Sequence, residues 1–125
     1  MGTKLCGDVV CGFPSPGEEN REDSLDFNAY LVKHKACTFC LRAYGDSMYP
    51  SVKEGDVLVV DRSLACRNGD LVVAQLNGDF TVKYLRKGRN SFFLEPENKA
   101  YNSIEINADT VIFGVVTSVV RKLRK

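Results

Sequence analysis

The sequence has 125 residues with 17 basic and 16 acidic side chains, which gives a formal net charge of only +1. This length fits one domain, and 44% hydrophobic with 26% charged residues is typical of a globular protein. No apolar run approaches the roughly 20 residues of a membrane span. A near-zero net charge also provides no broad field to attract nucleic acid. Membrane-spanning, collagen-like and globally disordered classes are therefore excluded.

The cysteine content indicates a reducing compartment. There are five cysteines, an odd number, and no apolar core of a secretory signal is found near the start. His34, Cys37 and Cys40 are spaced like half of a zinc site, but a structural zinc site requires four ligands and no second pair follows. We therefore expect a cytoplasmic protein without a metal or a cofactor.

The first part of the chain is predicted to be an arm followed by a short helix. Residues 12–24 are polar and contain two of the four prolines, which favours an extended arm over residues 1–24. A helix is predicted at about residues 25–33, with Ser24 as its N-cap and Asp26 in its first turn. Leu25, Tyr30 and Leu31 are its residues available for burial.

From residue 37 onward the sequence has the residue pattern of β-strands. Short runs rich in Val, Ile, Phe and Leu are separated by glycine- and asparagine-containing turns. Asn77-Gly78 between two such runs is the strongest hairpin signal, because both residues tolerate positive φ in a type I′ turn. We therefore predict a mainly β, mostly antiparallel domain over residues 25–125. The predicted strands are 37–44, 57–61, 70–76, 80–86, 91–95, 104–106 and 111–120.

The candidate chemistry centres on a serine and a lysine. His34 is the only histidine and no serine near it has a recognisable nucleophile motif, which leaves a neutral lysine as the base for an activated hydroxyl. Ser47 follows Gly45 in a predicted turn, and Lys83 lies within a predicted strand. A lysine base must be buried, because at pH 7 only about one free lysine in 2,500 is neutral. An ordinary turn serine and a solvent-facing strand lysine fit the same residues, and the spacing alone leaves both interpretations open.

Four sequence blocks follow one another along the chain at residues 45–48, 55–61, 69–74 and 78–83. In this order they resemble the LexA/UmuD family of self-cleaving serine peptidases. The resemblance implies a compact LexA/signal-peptidase-like β domain, with Ser47 as the nucleophile and Lys83 as the general base. Residues 11–16, Cys-Gly-Phe-Pro-Ser-Pro, look like a cleavage segment of the same family, which implies that the Cys11–Gly12 bond is cut.

The resemblance also implies a role and partners. Family members of this kind act in bacterial DNA-damage tolerance, form homodimers and cleave themselves when stimulated by the RecA–single-stranded DNA filament. The shortened chain then joins a UmuC-type Y-family polymerase for translesion synthesis. We expect neither membrane contact nor sequence-specific DNA binding. Ser47-Met48-Tyr49-Pro50 is also similar to signal peptidases, but those enzymes need a membrane anchor, which is not found here.

A second interpretation belongs to a different class of protein. A non-catalytic, dimeric interaction module that regulates a polymerase could keep the same fold without cleaving any bond. The two interpretations differ in whether the purified chain processes itself.

Overall fold

The computed structural model describes residues 26–124. The predicted arm, residues 1–24, therefore lies outside the described residues, as do Ser24, Cys11 and Gly12. The chain divides into two units between Lys35 and Ala36.

The described part of the first unit contains helix α1, Phe27–Leu31. It is shorter than the predicted helix, because Asp26 is its N-cap: the Asp26 carboxylate accepts a hydrogen bond of 3.0 Å from the Asn28 N–H. The helix ends at Val32, which has extended backbone angles. The prediction that Tyr30 is available for burial is wrong, since 60% of its surface is exposed. A 3-10 turn follows at Lys35–Cys37.

The second unit is a seven-stranded antiparallel sheet, which confirms the mainly β prediction. Its strands pair in the order β1-β2-β7-β3-β4-β5-β6. All seven predicted strands are present; β2 has the predicted ends, and the ends of the others differ by at most two residues. The strands are β1 Thr38–Arg42, β2 Val57–Asp61, β3 Leu71–Leu76, β4 Asp79–Lys87, β5 Phe92–Glu95, β6 Ile104–Glu105 and β7 Thr110–Val120.

The β3–β4 hairpin sets the register at the centre of the sheet. Asn77 and Gly78 both have positive φ, 51° and 88°, and Leu76 pairs with Asp79 across a two-residue turn. The predicted type of turn is therefore confirmed. In the same register Lys83 lies opposite Val72, near the middle of the pairing between the two strands.

Apolar side chains cover both faces of the central strands. Val72, Val73 and Ala74 follow one another along β3 and are all fully buried, although successive side chains of a strand point to opposite faces. Two core clusters result. One contains Ala43, Met48, Val52, Leu58, Val60 and Val73, and the other contains Val72, Ala74, Leu85, Leu94 and Val115.

One edge of β4 is only partly covered by a neighbouring strand. Residues 79–84 pair with β3, whereas β5 pairs with residues 84–87. Within the described part of the chain, the outer edge of β4 ahead of Tyr84 therefore has no strand partner. None of the helices among residues 26–124 has the length and apolar composition that a bilayer span requires.

Candidate active site

A tight turn after β1 presents Ser47. Gly45 has φ +82°, a conformation that costs other residues energy and allows the chain to turn sharply here. Met48 is only 3% exposed and packs in the first core cluster, and its carbonyl accepts a hydrogen bond of 2.9 Å from the Val52 N–H. Burial of Met48 anchors the turn and leaves the neighbouring Ser47 half-buried at the surface of the core.

The loop that carries this turn is closed at its base. The Ala43 N–H donates to the Asp56 carbonyl and the Gly55 N–H donates to the Ala43 carbonyl, each over 2.8 Å. The buried Asp56 carboxylate binds the Arg121 guanidinium through two hydrogen bonds of 2.7 Å. Hydrogen bonding to Arg121 lowers the pKa of Asp56 below its ordinary value. Both ends of the loop are thus fixed to the sheet.

The side chain of Lys83 reaches Ser47 from β4. Its Nζ lies 3.0 Å from Ser47 Oγ, 2.7 Å from Thr81 Oγ1 and 3.2 Å from the Val82 carbonyl oxygen. Lys83 is only 7% exposed, and this burial lowers the pKa of its amine. Among residues 26–124, no carboxylate forms an ion pair with it.

These three contacts are compatible with an ammonium and with a neutral amine. A neutral lysine has two N–H donors and one lone pair, so it can donate to Thr81 and Val82 and accept the Ser47 hydroxyl proton. An ammonium can donate to all three oxygens, but the part of the chain that the structure describes provides no counter-ion to offset its desolvation, so burial favours the neutral form. The arrangement is therefore suited to moving a proton from Ser47 Oγ to Lys83 Nζ.

A cleft of about 340 Å³ lies beside this pair. It runs between the residues that end β1 and the start of β4, with Ser47 in its wall, and core residues such as Leu58 and Val73 also line it. Phe80, Thr81 and Val82 also line it, and they belong to the part of β4 that has no outer strand partner among the described residues. An extended peptide can add to such an edge through main-chain hydrogen bonds.

A loop between β5 and β6, residues 96–101, braces the Ser47 turn. The Asn98 N–H donates to the Ser47 carbonyl over 2.8 Å, and Asn98 Nδ2 donates to the Asp46 carbonyl over 3.2 Å. The Tyr101 hydroxyl donates to Asp46 Oδ1 over 2.6 Å. This hydrogen bond to the carboxylate raises the pKa of Tyr101.

The structure brings together two of the four predicted site residues. Ser47 lines the cleft and lies within hydrogen-bond distance of Lys83, whereas Cys11 and Gly12 lie outside the described residues. Sequence reasoning missed Thr81, although it lies two residues before Lys83 on one strand and so points to the same side. It also missed Asn98, for which a loop asparagine gives no signal. Within residues 26–124 no three His, Cys, Asp or Glu side chains are grouped to hold a metal ion.

One known protein family matches this chain over most of its length. The model of the Peptidase S24-like family matches residues 4–117. This range includes Ser47, Lys83 and the Cys11–Gly12 bond.

Individual relatives agree with the family match. The chain is 42% identical to protein SamA of Salmonella typhimurium (strain LT2) over 114 residues, which are 90% of this chain and 80% of SamA. It is 42% identical to protein ImpA of Escherichia coli over 116 residues, 91% of this chain and 79% of ImpA. It is also 37% identical to the LexA repressor of Shewanella piezotolerans (strain WP3) over 125 residues, 97% of this chain and 60% of the repressor.

Proposed function

The chain belongs to the Peptidase S24-like family of LexA/UmuD-type self-cleaving proteins, and we propose that it cuts its own Cys11–Gly12 bond with Ser47 as the nucleophile and Lys83 as the general base. The observation that carries the proposal is the 3.0 Å approach of Lys83 Nζ to Ser47 Oγ, made by an amine that is buried. Sequence similarity to a LexA repressor confirms the resemblance on which the assignment of roles rests.

The first step forms an ester. Ser47 Oγ attacks the carbonyl carbon of Cys11 while its proton passes to Lys83 Nζ, and the carbonyl oxygen becomes an oxyanion. When the tetrahedral intermediate collapses, the bond between the Cys11 carbon and the Gly12 nitrogen breaks. Lys83 gives its proton to this nitrogen, so the fragment that begins with Gly12 leaves with a neutral amine.

The second step restores the serine. Water attacks the Cys11–Ser47 ester and transfers a proton to Lys83, which is neutral again after the first step. The intermediate collapses, the carbon–Oγ bond breaks and Lys83 returns the proton to Ser47 Oγ. One water is consumed, and the products are a carboxylic acid at Cys11 and an amine at Gly12.

The cleft supports a peptide in extended conformation as the substrate. The part of β4 that lines it lacks an outer strand partner, so a bound segment could hydrogen-bond along that edge next to Lys83. Residues 12–24 span at most about 45 Å when extended. This reach allows the bond to enter the cleft of the same chain or that of a dimer partner.

The proposed role follows from the family. We assign the chain to bacterial SOS mutagenesis, as a homodimer whose cleavage is stimulated by the RecA–single-stranded DNA filament. Loss of residues 1–11 then yields the form that joins a UmuC-type Y-family polymerase for translesion synthesis. The similarity to SamA, ImpA and a LexA repressor supports this placement.

Incubation of the purified chain at pH 9–10 tests the peptidase, with products weighed by mass spectrometry. We expect a fragment that begins at Gly12 from the wild type, and a loss of cleavage of roughly a thousandfold or more in Ser47→Ala. The matched control is Ser51→Ala, a serine of the same loop. An intact wild-type chain after long incubation favours the non-catalytic module instead.

Addition of RecA filament at neutral pH tests the proposed stimulation. We expect the Gly12 fragment to form faster with RecA, single-stranded DNA and a nucleotide than with any one of them omitted. Equal rates in all mixtures contradict the RecA dependence but leave the self-cleavage reaction standing.

A further inference from the structure

Asn98 makes two contacts with the backbone on either side of Ser47. Its N–H donates to the Ser47 carbonyl over 2.8 Å, and its side-chain Nδ2 donates to the Asp46 carbonyl over 3.2 Å. Its Oδ1 accepts a hydrogen bond of 2.9 Å from the Ala100 N–H, so the amide orientation is fixed by a donor on one side and an acceptor on the other. One residue therefore holds two consecutive peptide units.

Because a peptide unit is planar, a contact that holds its carbonyl also fixes the direction of its N–H group. In a trans peptide unit the carbonyl and the N–H that follows it point in opposite directions. With the Asp46 carbonyl turned toward Asn98, the Ser47 N–H points away from it, and the same holds for the Ser47 carbonyl and the Met48 N–H. The cleft is lined by Ser47 and Met48 but by no residue of the 96–101 loop.

We propose that Asn98 is a positioning residue whose side chain helps to aim the Ser47 N–H at the oxyanion formed during cleavage. This inference rests on the proposed function. Oxyanion donors accelerate acyl transfer because they are already oriented before charge develops. The Asp46 carbonyl already accepts a hydrogen bond of 3.1 Å from the Tyr49 N–H within the turn. The Asn98 side chain adds a second donor to this carbonyl, which restricts rotation of the Asp46–Ser47 peptide plane and keeps the Ser47 N–H directed to the cleft side.

The neighbouring contact of Tyr101 has a different consequence. Its hydroxyl binds the side-chain carboxylate of Asp46 and not a backbone carbonyl, so it does not fix either peptide plane. We therefore expect a graded series in which Asn98 has the larger effect on the rate and Tyr101 the smaller.

The first test compares rates of self-cleavage at pH 9–10. Asn98→Asp keeps an oxygen acceptor for the Ala100 N–H but loses the Nδ2 donor, and we expect it to slow cleavage by roughly 10- to 100-fold. Asn98→Ser supplies a second variant without added charge, for use if the first melts below the assay temperature, and the same direction is expected. The control is Lys99→Ala, an exposed residue of the same loop, which should cleave at the wild-type rate.

The second test measures how tightly the full chain binds a tetrahedral anion at Ser47, at pH 7.5. The probe is a peptide boronic acid with the sequence of residues 7–10 followed by a boronic analogue of alanine in place of Cys11. Ser47 Oγ bonds to boron, its proton passes to Lys83, no bond breaks, and boron becomes a tetrahedral anion. The matched peptide ending in a carboxamide occupies the cleft without forming that anion.

Calorimetric titration of both peptides separates positioning from general stability. In Asn98→Asp the Kd of the boronic acid should rise at least about tenfold, while the Kd of the carboxamide stays within about twofold of the wild type. Competition from the chain's own arm affects both peptides equally and cancels in the ratio. A purely structural role for Asn98 would weaken both peptides alike.

The outcomes distinguish this inference from the proposed function. If the wild type cleaves at Gly12 and Ser47→Ala does not, but both Asn98 variants cleave at the wild-type rate and keep the boronic acid affinity, the positioning role is overturned alone. If the boronic acid binds the wild type no more tightly than the carboxamide, Ser47 is not an available nucleophile, and the proposed function fails together with the role of Asn98.

Discussion

Thr81 lies closer to the amine of Lys83 than Ser47 does. Thr81 Oγ1 is 2.7 Å from Lys83 Nζ and Ser47 Oγ is 3.0 Å from it. Thr81 and Lys83 are two residues apart on β4, so their side chains leave the same face of the strand. The threonine hydroxyl therefore restrains the end of a long, flexible side chain at the point where the proton must be received.

Replacement of this hydroxyl should slow cleavage. Thr81→Val keeps the shape of the side chain but removes the contact with Nζ, and one such hydrogen bond contributes about 1 kcal/mol, or roughly a five- to tenfold change in rate. Thr81→Ser keeps a hydroxyl at the same place and should retain most of the activity. The measurement is the first-order rate at pH 10, from the masses of intact chain and fragment. A valine variant as fast as the serine variant contradicts the restraining role.

The rate of self-cleavage should rise with pH. Burial lowers the pKa of Lys83, so the fraction of neutral amine increases from neutral pH upward and levels off below the ordinary pKa of lysine. At pH values below the lowered pKa of Lys83, the rate should grow about tenfold for each pH unit. Rates between pH 6 and 10.5 measure the profile, and a flat profile from pH 7 to 10 contradicts a lysine base. Because hydrogen bonding to Asp46 raises the pKa of Tyr101, Tyr101→Phe is the control and should keep the same midpoint.

Removal of the Lys83 amine should not destabilise the fold near pH 7. Its pKa is lower in the folded chain than in the unfolded one, so the unfolded chain binds more protons between the two values and the stability of the wild type rises with pH in that window. At neutral pH the buried amine thus lowers the free energy of unfolding, and Lys83→Met removes this destabilisation.

Thermal unfolding at several pH values measures this effect. The Tm of Lys83→Met should equal or exceed the wild-type Tm at pH 7, and the difference should close as the pH approaches about 10.4, the unfolded value. Lys87→Met, at an exposed position on the same strand, should show no such trend. A clear drop in Tm for Lys83→Met at pH 7 identifies Lys83 as an ordinary structural residue.

The strands of this protein could be predicted because their signals are local. Apolar runs between glycine turns gave all seven strands, and Asn77-Gly78 gave the turn that brings Lys83 opposite Val72. Pairings between distant segments have no such local signal. β7 pairs with both β2 and β3, and this arrangement depends on which faces are buried together in three dimensions.

At the candidate site, too, only residues with a signal of their own could be predicted. Ser47 and Lys83 could be singled out by residue type and by the resemblance, whereas Asn98 acts from 51 residues away through backbone contacts that any loop asparagine could make. The helix is shorter than the sequence predicts because the Asp26 carboxylate caps it, two residues after Ser24, the predicted cap. Short polar side chains compete for this position, and the sequence alone does not rank them.

The pair formed by Asp56 and Arg121 should make the fold sensitive to acid. The Asp56 carboxylate is 1% exposed and accepts two hydrogen bonds from Arg121, and this contact lowers its pKa. The ionised carboxylate therefore stabilises the fold fully above about pH 3.9, the pKa of Asp56 in the unfolded chain. This stabilisation is lost as the pH falls toward the lower pKa of the folded chain. Arg121→Met leaves the buried carboxylate without its partner and should lower the Tm by several degrees at pH 7. The difference from the wild type should shrink as the pH falls below about 4, because Asp56 of the unfolded chain then takes up a proton and the paired carboxylate of the folded wild type loses its advantage. Arg86→Met is the matched control, because Arg86 also forms a 2.7 Å ion pair, with Glu95, but both side chains are more than 40% exposed and such pairs contribute little. A Tm difference for Arg121→Met that stays constant from pH 7 to 2.5 contradicts the assigned role of the charge.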